Sequence, residues 1–122
     1  MKTFHEFDPV IYPYKLWIIV SDKPDTIIEN FLDTENNTPE VDRDLTESSD
    51  AFTYNVIKKD TRQYGVVIQF NNTKSIDFKN VAHEATHAAK LLFDHISADI
   101  KPHEPFEYVV GWIAKCCGEV KS

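Results

Sequence analysis

Two cysteines, three glycines and one methionine are all that this chain of 122 residues contains of those types. Cys116 and Cys117 are adjacent, and neighbouring Cα atoms across a trans peptide sit about 3.8 Å apart, closer than a disulfide bridge requires. A disulfide scaffold is thereby excluded, and a reducing compartment suits the chain. The pair could ligate zinc, but a single pair of thiols without a second is a poor metal signature; buried thiols near a helix end are the expected role. Basic charge is also short, with 13 Lys and Arg against 20 Asp and Glu and a formal net charge of −7. No basic patch is available to displace phosphate counterions, so nucleic acid is not an expected partner. Apolar runs are too short to span a bilayer, and Met1 to Glu6 lack the apolar core of a signal peptide. The expected location is cytoplasmic, with no membrane partner. The length fits one domain, 1–122, without room for the two-lobed body of a large protease.

What the chain does have is clear patterning. Residues 1–13 carry Pro9 and Pro13 and read as an irregular lead-in, with His5 a surface histidine. Tyr14 to Val20 is a near-continuous apolar, β-branched run, the signature of a buried strand. Ser21-Asp-Lys-Pro-Asp25 looks like a helix start, and Ile27, Ile28, Phe31 and Leu32 continue it at helical spacing for about three turns. From 34 to 50 the chain turns polar and acidic, which predicts a flexible loop; its carboxylates lack the glycine and spacing of a calcium site. Ala51–Ile57 and Tyr64–Phe70 have strand composition and are joined by a hairpin-length connection. In the second, Tyr64, Val66, Ile68 and Phe70 should face one way, with Gly65, Val67 and Gln69 the other. A helix follows from about Ile76–Asp77. Pro102 marks its latest end, and a last helix runs from Glu104, with Pro105 in its first turn and Gly118 beyond its end. Sheet and helices together predict an α+β fold.

The chemistry sits in Val81 to Phe93, which contains His83-Glu84-Ala85-Thr86-His87, the pattern H-E-x-x-H. Residues four apart on a helix lie one turn above each other, so both imidazoles point the same way and can share one metal ion. Glu84 lies about 100° round the helix, placed to take a proton from a metal-bound water. Zinc (Zn2+) is the expected cofactor, since its catalytic sites combine three protein ligands with one water. Val81, Ala85, Ala88, Leu92 and Ile96 form an apolar stripe, while His83 and His87 fall opposite with Lys90 and Asp94. One face should pack on a core and the histidines should face a polar space. A third ligand must come from elsewhere. On the last helix, Phe106, Val109, Val110, Ile113 and Cys117 make the apolar face, and Glu104, Tyr108, Gly111 and Lys115 the other. Glu104 could ligate or could serve the positive end of its own helix, and Glu107 competes with it. His95 and His103 are surface histidines that could also orient substrate.

At these residues the chain resembles the zincin metallopeptidases of the gluzincin branch, whose third ligand is a glutamate on a later helix. More closely, the sweep from His83-Glu84-x-x-His87 to Glu104-Pro105-x-x-Tyr108-Val-Val-Gly111-Trp112 resembles small bacteriophage-encoded proteins. The resemblance covers about the last third of the chain. It implies a minimal zincin-like domain, with a small sheet of three or slightly more strands on the H-E-x-x-H helix and a C-terminal helix supplying the third ligand. By that alignment the ligands are His83, His87 and Glu104; the longer spacing of thermolysin-like enzymes would select Glu107. The implied activity is zinc-dependent hydrolysis of peptide or amide bonds, with Glu84 as general base and a peptide or protein as partner. Tyr108, His95 or His103 would then supply the donor to the tetrahedral oxygen. Host cytoplasm is the implied location. Two departures stand out. The aspartate four residues after the glutamate of thermolysin-like enzymes is replaced by Tyr108 or Gly111, leaving Asp94 or a carbonyl to orient a histidine. The third histidine of metzincins is absent. The alternative reading is a non-catalytic, metal-stabilised interaction module of zincin fold, for example in phage assembly. Two further expectations are that the Tyr64–Phe70 strand receives an extended peptide, and that Gly111 marks a close approach of the metal helix. The oligomeric state is not legible.

Overall fold

The computed structural model describes residues 3–9, 12–23, 25–39, 50–96 and 103–122, apart from the side chains of residues 103 and 104. The apolar run after Tyr14 forms β2 (Lys15–Val20), and its residues are buried on both faces for a clear reason. Leu16, Ile18 and Val20 enter one core and Trp17 and Ile19 a second core on the opposite face, so from Leu16 to Val20 no position is left for water. Around it stand β1 (Phe4–Phe7), β3 (Phe31–Leu32), β4 (Ala51–Lys58) and β5 (Tyr64–Phe70). The five strands run in the order β1-β2-β5-β4-β3. β2 and β5 are parallel, and the other pairs are antiparallel.

The architecture is α+β, as expected, with five strands rather than three. The two extra strands account for the difference. Phe4–Phe7, within the expected irregular lead-in, pairs antiparallel with β2, and Trp17 Nε1 donates to Glu6 Oε1 at 2.8 Å. Phe31 and Leu32, expected in a helix, instead pair with Lys58 and Ile57. The preceding helix α1 (Asp25–Asn30) is therefore only six residues long. Helical spacing could not reveal this, because the pairing partners of Phe31 and Leu32 lie more than twenty residues further along the chain.

α1 covers one face of the sheet with Ile27, which joins Phe31 of β3 in the second core. On the other face lie α2 (Phe78–His95) and α3 (His103–Lys121). α2 packs on β4 and β5, and α3 on α2 and β2. The β5 alternation is as read: Val66, Ile68 and Phe70 face the α2–α3 core, and Val67 faces α1. α3 continues to Lys121, so Gly118 is inside the helix and not past its end. Most of the predicted acidic loop, residues 40–49, lies outside the described residues. Among the described residues no helix is long and apolar enough to cross a membrane.

Gly65 has a specific reason to be glycine. A Cβ there would stand 2.4 Å from the Lys15 carbonyl oxygen and 2.4 Å from the Trp17 ring, where β2 and β5 run side by side. Gly111 has no such reason. Nothing lies within 4 Å of a Cβ built on it, so the expected close approach of the metal helix is absent.

Candidate metal centre

The helix that carries the motif starts sharply. Asn72 accepts from Ser75 N in the turn before it, and Asp77 accepts from Asn80 N at 2.8 Å as the helix cap. With its phase fixed, α2 buries Ala85, Ala88, Ala89, Leu92 and Phe93 and leaves His83, His87, Lys90 and Asp94 exposed. The two-faced helix read from the sequence is thus what forms.

His83 and His87 converge. Their Nε2 atoms are 3.1 Å apart, with the rings edge to face at 4.6 Å between centroids. Two nitrogens bound to one tetrahedral zinc at about 2.0–2.1 Å would lie roughly 3.3–3.4 Å apart. The observed spacing is a few tenths of an ångström short of that value, so both rings can face one ion with little adjustment.

Glu84 is only 7 % exposed, yet it lines the same cleft as the histidines. Thr53 Oγ1 on β4 donates to Glu84 Oε1 at 2.7 Å, which fixes the carboxylate at the boundary of core and cleft. A buried carboxylate with no donor would be strongly destabilising, so this contact has both structural and orienting consequences. Thr53 was not legible as a site residue. It lies 31 positions from Glu84, and only the docking of α2 over β4 brings them together. The cleft is further lined by Asp50, Lys79 and Lys90.

α3 is placed differently from the expectation. Phe106 packs on Phe93 at 5.5 Å between ring centroids, and Lys121 Nζ donates to the Ile76 carbonyl, so the helices are antiparallel. The first turn of α3 is therefore level with the last turn of α2. At about 1.5 Å per residue, Phe93 lies roughly 9 Å beyond His87 along the axis and 15 Å beyond His83. α3 also flanks α2 on the β2 side, whereas the histidines open towards β4. The Glu104 and His103 side chains lie outside the described residues. Glu107 is exposed, and among the described residues no three His, Cys, Asp or Glu side chains come together as a metal-holding group.

The remaining candidates are scattered. Tyr108 is 75 % exposed and lines a separate groove with Tyr12, Pro105 and Trp112. His95 is exposed and lies beside Tyr14 and Tyr64, with ring centroids at 4.8 and 5.2 Å. Asp94 is exposed, two turns beyond His87; its charge adds to burial in raising the Tyr14 phenol above its ordinary range. Tyr14 donates its hydroxyl to Asn55 Oδ1. Cys116 and Cys117 are free and buried. Burial, first of all, pushes both thiols up to about 12, and for Cys117 the neighbouring Cys116 and then Glu84 add to it.

No protein-family model, curated protein or solved structure matches this chain. The His83–Glu84–His87 constellation therefore rests on its own geometry.

Proposed function

We propose that this chain is a zinc-dependent hydrolase of peptide or amide bonds, built on a minimal zincin-like domain. The observation that supports it is the convergence of the His83 and His87 Nε2 atoms to 3.1 Å, with the Glu84 carboxylate held in the same cleft by Thr53. A structural pair of histidines has no need of a buried acid beside it. His83 and His87 would hold the ion, and bound zinc would supply a polarised substrate carbonyl and an acidified water. Glu84 is the general base. With Oε1 committed to Thr53, Oε2 is the oxygen left to accept the proton and return it to the leaving amine.

The third donor in this reading is a carboxylate. The family resemblance selects Glu104, with Glu107 as its rival, although the first turn of their helix stands beyond the histidines. Asp50, at the mouth of β4, is the carboxylate of the described residues that lines the cleft beside Glu84. The oxyanion role expected of Tyr108 is not retained, because that ring stands in a different groove.

The peptide would lie along β4 rather than β5. β5 is paired on both sides, by β2 and β4. On its outer edge, among the described residues, β4 is paired only at Ile57 and Lys58. Ala51, Phe52 and Thr53 line the cleft beside the histidines, where an extended peptide would lie.

Metal analysis with peptidase assays tests the proposal. Wild type should bind one zinc; His83→Ala and His87→Ala should lose it; Glu84→Gln should keep the metal and lose hydrolysis. Asp50→Asn, Glu104→Gln and Glu107→Gln, compared for zinc affinity, identify the third donor. Absence of stoichiometric zinc in wild type would overturn the reading. The alternative, a metal-stabilised interaction module, draws on the absence of a third ligand among the described residues; it predicts bound zinc without hydrolysis in wild type.

A further inference from the structure

One large apolar side chain stands outside everything that holds this fold together. Phe78, the first residue of α2, is 97 % exposed and belongs to neither core. Its neighbours have structural reasons to be there. Asp77 caps the helix on Asn80 N, and Ile76 and Val81, on either side of that cap, both pack into the α2–α3 core. A single exposed phenylalanine is ordinary on a protein surface. This one borders an apolar groove.

The groove runs between the start of α2 and the end of α3. Ile76, Phe78 and Val81 line one side, and Ala114 and Gly118 the other. Lys121 lies at its end and donates Nζ to the Ile76 carbonyl. Gly118 keeps the groove wide. It sits inside α3, where glycine is the least favoured residue short of proline. Nothing lies within 4 Å of a Cβ built on it, so the fold itself does not ask for glycine there. An exposed aromatic ring and a helix-interior glycine, each unfavourable for the isolated chain, thus meet at one place.

We propose that this face docks a second copy of the chain, each Phe78 ring entering the groove beside Gly118 of the other. The chain itself carries the side chain that the groove receives. Ring and groove lie on the same face, so a single two-fold rotation engages both at once, the commonest symmetry of assembly. Area sets the strength. An aromatic side chain buries about 150–250 Å², so two rings and the two grooves that receive them remove roughly 600–1,000 Å² from water. Stable interfaces bury about 1,200–2,000 Å². The pair is therefore weak, with Kd on the order of 0.1–1 mM. Each copy carries a net charge of −7, so salt screens the repulsion and tightens the pair. The groove shares no lining residue with the His83–His87 cleft, and the pairing is independent of the hydrolase reading.

Sedimentation equilibrium of the full-length protein tests it, over about 20 μM to 1 mM and with a chelator present, so that zinc cannot bridge histidines of two copies. The mass should climb from 14.1 kDa towards twice that value, and the climb should steepen with added salt. Phe78→Ser removes the ring and Gly118→Leu fills the groove; each should weaken association at least about tenfold. Tyr108→Ser, which deletes another exposed ring, should leave it unchanged. Circular dichroism confirms that each variant is folded. NMR spectra recorded on dilution should move the signals of Ile76, Phe78, Val81, Ala114 and Gly118. A protein that stays monomeric to 1 mM, association that survives both groove variants, or dilution shifts centred on another face overturns the proposal. So does a monomer that binds vesicles of phosphatidylcholine and phosphatidylserine through Phe78, since the ring would then be a membrane contact.

Discussion

Replacing Gly65 by alanine should destabilise the protein sharply, and the size of the effect can be worked from the sheet. The new methyl group would meet the Lys15 carbonyl oxygen and the Trp17 ring, each at 2.4 Å. A flexible side-chain tip could move aside, but a backbone carbonyl in the β2–β5 ladder cannot move without disturbing the pairing of Lys15 with Gly65 and Leu16 with Val66. Overpacking a core by one carbon costs typically 1–3 kcal/mol, and two simultaneous overlaps put this site at the upper end, about 3 kcal/mol. For 122 residues the unfolding entropy is about 0.26 kcal/mol/K, so Tm should fall by about 12 °C. Thermal unfolding followed by circular dichroism, checked by urea titration, measures it. Gly111→Ala is the internal control. It adds the same methyl group in an exposed helix with nothing within 4 Å, and should raise stability by about 1 kcal/mol, or about 4 °C. A Gly65→Ala protein as stable as wild type would refute the close parallel pairing of β2 and β5.

Thr53→Val removes the donor to Glu84 while keeping the side-chain shape. It should cost about 2 kcal/mol of stability and lower kcat more than KM for any peptide the protein cleaves; a variant with unchanged stability would show that Glu84 is held by other means. Zinc at about 100 times its dissociation constant should stabilise the fold by about 2.7 kcal/mol, and a zinc-dependent rise in Tm that persists in His83→Ala/His87→Ala would place the metal elsewhere. Cys116 and Cys117, pushed from 9.0 up to about 12, keep their protons in the folded state where the unfolded chain would lose them. Stability from this source is therefore complete below about pH 9 and declines as pH rises towards 12. Urea titrations across that range should show the decline, and a Cys116→Ser/Cys117→Ser variant should flatten it.

The part of the site legible in the sequence is the part that helical periodicity alone decides. His83 and His87 share a face because four residues make one turn, and Ala85, Ala88 and Leu92 bury the opposite side for the same reason. Tyr14–Val20 read as a buried strand because β-branched and aromatic residues fill it without a polar break. The rest depended on partners distant in the chain. Phe31 and Leu32 carry a spacing that suits a helix, and become a strand only because β4 offers a ladder to pair with. That β5 is enclosed between two neighbours could not be read from composition, since β4 and β5 are equally strand-like; the order β2-β5-β4 decided it. The third ligand illustrates the same limit. The family resemblance pointed to Glu104, with Glu107 as its rival, but the antiparallel docking of Phe106 on Phe93 sets how far along α2 their helix begins. Local chemistry thus fixed the pair of imidazoles and the acid beside them. Packing over β4 alone chose Thr53 to hold that acid, because a hydrogen bond across 31 residues exists only once the sheet and helix have closed on each other.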